Sequence, residues 1–318
     1  QEIDFQVAKY LSTSRAEGSV YEGGSFGTYS SGLGTDKEMS NTQISLQGGT
    51  WKENDLNKNY YWPATGTVNF ISYAPYAESC PFTINASTGT FTATDYVVDG
   101  SKDLMLADYA TDLNGNVNNI TTTPTEGGYT GVPTLFRHML SNISFKIALT
   151  EAAATYGYTA TITGMKLTGI HNTGSISLSA TGNATDNMKA WNWPTEQPYW
   201  TNTSGDAEIV ITHPTSTINS TLTDATLTNC YLLPQAFVDD AQQITITYKL
   251  TYNSVEGNEL SVTKDLIDLQ ANHKGWGINK KIVYNIRIGV ASNEIYFDPA
   301  IAEWSSEEVN VGDITIIN

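Results

Sequence analysis

The chain of 318 residues carries 33 Asp and Glu against 16 Lys and Arg, a formal net charge of −17, and this weighs against nucleic acid, whose phosphates need clustered cations. The same acidity disfavours an anionic membrane surface. No apolar run approaches the ~20 residues that span a bilayer, and the length suits about two domains of roughly 150 residues each.

Taken in chain order, Ile3, Phe5 and Val7 alternate with polar neighbours and predict a first strand over Ile3 to Leu11. Thr67 to Tyr73 is a β-prone run ended by Ala74-Pro75, and Phe82 to Ile84 and Thr90 to Thr92 flank Asn85 to Gly89 as a hairpin. Asp103 to Asp108 is too short to type by period. Asn114 to Gly131 is rich in Asn, Thr and Gly with little to bury. It divides the chain into expected domains at 1–128 and 129–318.

Beyond it, Ile143, Phe145, Ile147 and Leu149 mark a strand, and Glu151 to Thr155 is a short helix stopped by Gly157. Thr159 to Ile170 changes register at Gly164, which predicts a bulge. Ile176 and Leu178 mark another strand, and Gly182 to Asp206 is a long loop with Trp191, Trp193 and Trp200. Gln243 to Tyr252 and Lys281 to Val290 alternate cleanly, with a turn or two of helix between them at Asp265 to Ala271. At the end, Val309 and Val311 alternate, Gly312-Asp313 shifts the register, and Ile314, Ile316 and Ile317 continue as strand. A terminal strand either pairs within its own domain or crosses to a neighbour. The class is all-β, most simply two sandwiches in tandem.

Motifs for catalysis are missing. His138, His171, His213 and His273 stand singly, with no second ligand at metal spacing. There is no Gly-x-Ser-x-Gly elbow and no glycine loop leading into a helix. Asp239-Asp240 and Glu307-Glu308 are adjacent, so on a strand they face opposite sides. Asp112 to Asn116 lacks the downstream Glu of a calcium loop and reads as a plain turn. Cys80 and Cys230 read as two separate buried thiols. The expectation is a non-enzyme without cofactor or metal. Trp191, Trp193 and Trp200, with Tyr60-Tyr61-Trp62, leave two readings open: rings that stack on sugars, or rings that plug sandwich ends or a subunit contact. The first would make the chain a surface glycan-binding module.

Several segments together resemble the fimbrillins of Bacteroidales, subunits of type V pili. They are Tyr61-Trp62-Pro63, Val68 to Pro75, Asp103 to Ala107, Leu135 to Ile143, Leu233-Pro234-Gln235, Gly275-Trp276-Gly277, Tyr284-Asn285-Ile286 and Trp304, in that order. The resemblance implies two tandem transthyretin-like β-sandwich domains and a structural role in a cell-surface fimbria, with adhesion to host or bacterial glycans or proteins. It implies export as a lipoprotein to the outer membrane through a lipidated cysteine near the precursor's start; that cysteine is absent here, so this chain would be a form truncated after it.

It further implies cleavage by an extracellular Arg-specific protease in a loop after the first strand, where Ser14-Arg15-Ala16 fits. Arg15 is the only arginine before Arg137, so Arg15–Ala16 is the expected scissile bond, with an ordinary exposed loop arginine as the alternative. Loss of the strand carrying Ile3, Phe5 and Val7 would open a groove. The implied donor that refills it is Val309, Val311, Ile314, Ile316 and Ile317 of another fimbrillin subunit, giving a head-to-tail polymer.

Overall fold

The computed structural model describes residues 2–9, 24–114, 131–184, 187–227, 230–269, 274–290 and 295–303. Among them the regular structure is nearly all strand, with one short α-helix, Glu151–Thr155, and one 3-10 turn, Leu266–Asp268. The helix is short for local reasons. The Thr150 hydroxyl accepts the Ala153 N–H at its start, and Gly157 takes φ +86° just beyond Tyr156 at its end.

The front of the molecule is a closed ring of strands. Val68–Ala74 pairs with Phe26–Ser31, followed by Thr42–Gln47, Thr50–Glu53, Phe5–Lys9, Val132–His138 and Met105–Ala107, which pairs back onto Val68–Ala74. Closure removes open sheet edges. The ring encloses Ile3, Phe5, Phe26, Ile44, Val68, Phe70 and Phe136. Val68–Ala74 is buried on both faces because alternate residues serve two cores. Val68 and Phe70 point into the ring, whereas Ile71 and Tyr73 point out of it.

That outer face meets a four-stranded sheet, in the order Thr201–Ser204, Thr173–Ser179, Thr90–Val97 and Phe82–Asn85. Phe91, Ile176 and Leu178 pack there against Ile71, Tyr73 and Leu106. Both front sheets draw strands from either side of residue 128: Val132–His138 completes the ring, Thr173–Ser179 pairs with Thr90–Val97, and Met188–Lys189 pairs with Tyr109–Leu113. Residues 115–130, within the expected boundary stretch, lie outside the described residues.

The remaining large sheet runs Val255–Asp265, Gln243–Tyr252, Tyr158–Ile170, Ala207–Thr212, Thr223–Leu227, Ser141–Leu149, Lys280–Ile288 and Ile295–Glu303. A single cluster including Phe145, Ile147, Leu167, Ile246, Tyr248 and Tyr284 lies between its two halves. The apolar alternation of Gln243–Tyr252 faces this core at Ile244, Ile246 and Tyr248, all fully buried. The expected irregularity falls at Ile162/Gly164, where the pairing with Gln243–Tyr252 shifts by one residue. The architecture is thus nearly all-β, with several sheets around three apolar cores.

Candidate assembly site

The first strand is seated in the wall of the ring. Phe5–Lys9 runs parallel to Val132–His138, from Phe5 opposite Val132 to Lys9 opposite Phe136. On its other side it pairs with Thr50–Glu53 where Phe5 lies opposite Trp51. Ahead of the strand, the Ile3 N–H donates to the Tyr60 carbonyl at 2.8 Å, and the Asp4 carbonyl accepts the Val132 N–H at 2.8 Å. Ile3 and Phe5 are buried to 2% and 4% exposure. The Phe5 ring meets Phe26 and Phe70 edge to face, with centroids 5.6 and 5.8 Å apart. Gly131 lies so close that a Cβ there would stand 2.7 Å from the Asp4 carbonyl oxygen and 2.8 Å from its carboxylate. Only glycine lets the two segments approach this closely.

Two carboxyl groups near the slot are held above their ordinary titration range. Burial pushes Asp4 up, opposed by a main-chain hydrogen bond and reinforced by the charge of Glu2. Burial also pushes Glu53 up, and its Oε2 is buried without a hydrogen-bond partner.

The strand that receives Phe5–Lys9 is anchored on its far side. The Arg137 guanidinium forms a two-pronged bond with Asp108, 2.7 Å from Nε to Oδ1 and 2.8 Å from Nη2 to Oδ2. Asp108 is almost wholly buried, and Arg137 is 14% exposed. His138 Nδ1 lies 2.9 Å from Asp103 Oδ1. Arg137 and His138 thereby tie Val132–His138 to residues that flank Met105–Ala107.

Other motif residues act inside the fold. Buried Gln235 grips the main chain of His171: its Oε1 accepts the His171 N–H and its Nε2 donates to the His171 carbonyl, both at 3.0 Å. The Trp276 indole donates to the Tyr284 hydroxyl at 2.9 Å. A Cβ on Gly275 would stand 2.2 Å from the Gln235 carbonyl oxygen, so glycine is required there too.

Trp191 and Trp200 are each 3% exposed, and their N–H groups donate to the carbonyls of Ala107 and Met139. Both rings fill the middle core, so neither offers the open face that stacking on a sugar requires. Trp193 packs on the margin of that core with its N–H buried and unpartnered.

Arg15 and Ala16 lie outside the described residues. So do Val309, Val311, Ile314, Ile316, Ile317 and His273. Val7 lies in Phe5–Lys9, opposite Thr134. His171 Nδ1 is 2.9 Å from Thr203 Oγ1, and His213 Nδ1 is 2.9 Å from the Pro214 carbonyl. Cys80 and Cys230 are free thiols, half-buried at the margins of different cores. Among the described residues no group of three or more His, Cys, Asp or Glu is placed to hold a metal ion, and no helix is long and apolar enough to cross a membrane. Gly131, Asp4 and the parallel partner strand belong to the slot but were not legible in the sequence. No local signal marks them, since each acts through a contact distant in sequence.

Known proteins share sequence pattern and fold with this chain. The sequence model of one family, described as fimbrillin-like, matches residues 14–304. Among solved structures, a fimbrial protein from Bacteroides vulgatus is 16% identical, with 96% of this chain and 99% of that chain covered and a TM-score of 0.55. A putative cell adhesion protein from Bacteroides uniformis is 17% identical over 96% and 97% of the two chains, with a TM-score of 0.51. Another from Bacteroides ovatus is 15% identical over 96% and 98%, also at 0.51. At these identities the likeness is one of fold. No curated protein matches the chain.

Proposed function

Because the chain belongs to the fimbrillin-like family, a family of structural pilus subunits rather than enzymes, we propose that it is a subunit of a cell-surface fimbria that polymerises by exchange of its first strand. The observation that carries this reading is the position of Phe5–Lys9, which closes the ring between Thr50–Glu53 and Val132–His138. A strand held this way can leave without unfolding the sheets behind it. Its departure would strip the ladder partners from Val132–Phe136 and open the apolar interior around Phe26 and Phe70. An unpaired edge beside an apolar groove is unfavourable in water and is a template for another strand.

Cleavage at Arg15–Ala16 by an Arg-specific extracellular protease would free the segment carrying Ile3, Phe5 and Val7. The terminal segment of a second copy, with Val309, Val311, Ile314, Ile316 and Ile317, supplies alternating apolar side chains and ladder groups to replace it. Repetition of this head-to-tail contact generates an open filament. In this reading the chain is organised as two transthyretin-like domains that meet in sequence near the 128/129 boundary, the first completed by strands contributed from beyond it. The precursor is lipidated and reaches the outer membrane before assembly, and adhesion to surface glycans or proteins is a function of the finished fimbria.

The test is incubation with an Arg-specific protease, followed by amino-terminal sequencing and electron microscopy. A new terminus at Ala16 and filaments are expected. Deletion of Val309 to Asn318 should leave the cleaved protein folded and monomeric. Filaments that form normally after that deletion would remove the strand-exchange reading.

A further inference from the structure

Tyr156, Tyr252 and Val255 are exposed large side chains carried by two tight turns at one end of the large sheet that begins with Val255–Asp265. Tyr158 and Tyr252 are opposite each other on neighbouring strands, and their rings stack with centroids 4.7 Å apart and planes 29° from parallel. Tyr252 remains 45% exposed, so part of its ring stays open to solvent. Tyr156, two residues before Tyr158, is 71% exposed, and so is Val255, which pairs with Tyr252 across the hairpin. The turns that carry them are conformationally fixed. Asn253 and Ser254 both take positive φ, 48° and 62°, as a tight hairpin turn requires. Gly157, at φ +86°, has its Cβ position 4.0 Å from the Tyr252 ring, which brings the two turns together.

We propose that this tyrosine tip is a binding platform for a neutral glycan. Three properties select that ligand. First, an aromatic face carries negative charge density and attracts the polarised C–H bonds on the apolar face of a pyranose ring. Second, the same two turns carry exposed Thr155, Asn253 and Ser254, which with the phenol hydroxyls supply donors and acceptors for sugar hydroxyls. Third, the charge is wrong for an acidic ligand. The chain carries −17 overall, and the cation beside the tip, Lys249, is already paired with Glu256 at 2.7 Å. The same charge opposes close approach of a second identical tip. Stability does not account for the cluster, because Tyr156 and Val255 bury little of their surface.

The test uses the full chain with three neutral probes: cellotetraose, laminaritetraose and mannotetraose. Saturation-transfer NMR should show contact with tyrosine ring protons for at least one of them, and titration calorimetry gives its Kd. Tyr156→Ala and Tyr252→Ala, both at exposed positions, should each weaken that Kd about tenfold, whereas Tyr252→Phe keeps the ring and should stay within about threefold. Circular dichroism should match the parent for all three variants. Absence of transfer from every probe would overturn the proposal, as would an unchanged Kd in the Tyr156→Ala, Tyr252→Ala double variant. A change of oligomeric state in that variant without sugar binding to the parent would instead make the tip a contact between copies. Protease-triggered filament formation by the double variant should proceed as in the parent, which separates this site from strand exchange.

Discussion

Phe5 and Phe26 meet edge to face at 5.6 Å inside the front ring, and this contact is an apolar anchor of the first strand. Phe26 in turn stands 5.4 Å from Phe136 on the strand that receives it. Phe5→Ala should therefore remove an anchor and leave a cavity that the rigid ring cannot close, at a cost of about 3 kcal/mol. Urea unfolding measures it. A loss below about 1 kcal/mol would mean that the ring relaxes into the space, and that Phe5 does not hold the strand.

Two of the three arginines, Arg137 and Arg287, lie within paired strands, and this sets a cleavage pattern. Arg137 sits within Val132–His138, locked onto Asp108. Arg287 lies in Lys280–Ile288, paired on both sides by Ser141–Leu149 and Ile295–Glu303. A protease needs an extended, unpaired segment, so both bonds are protected while the sheets hold. Limited digestion by an Arg-specific protease should give a single new terminus at Ala16, and Arg15→Ala should abolish it. A fragment beginning at His138 under native conditions would contradict this account.

The strands that alternate strictly were legible in the sequence. Gln243–Tyr252 and Ser141–Leu149 each have one face in a core and one outside, and a period of two reports that directly. Phe26–Ser31 and Thr42–Gln47 were not legible. Buried Thr28 of the first is satisfied by Ser72 of the neighbouring Val68–Ala74, their hydroxyls 2.8 Å apart, so burial there leaves no apolar rhythm. The tryptophan stretch left two readings open because hydropathy does not tell a polar loop from one that turns two rings inward. Trp191 and Trp200 are held by hydrogen bonds to Ala107 and Met139, far away in sequence. The closed ring was beyond reach for the same reason, since it depends on pairings such as Phe5 with Val132.

The slot should respond to pH through Asp4 and Glu53. Both carboxyls titrate above their ordinary values of 3.8 and 4.5 when folded, chiefly because burial disfavours the charged form. Their contribution is therefore fully present below the unfolded values and is lost as pH rises through the folded ones. Asp4→Asn and Glu53→Gln should each stabilise the protein at neutral pH, and the gain should vanish toward about pH 4. Thermal unfolding from acid to neutral pH reads this directly. A gain that grows as the pH falls would show the opposite sign and refute the burial argument.

The Asp108–Arg137 pair should prove strongly coupled. Asp108→Leu alone takes the two-pronged carboxylate away from a largely enclosed guanidinium, and Arg137→Met alone strands a buried carboxylate. Each single change should cost about 3 kcal/mol, while the double variant, which replaces a two-pronged ion pair by two apolar side chains, should lie within about 1 kcal/mol of the parent. Urea denaturation of the four proteins closes the cycle. The strand Val132–His138 is held by this pair on one side and by Phe5–Lys9 on the other. The single variants should thus also raise amide exchange at Leu135 and Phe136, and the double variant should restore it. If the two single costs simply add, the pair does not act as a unit in fixing the strand on which the first strand rests.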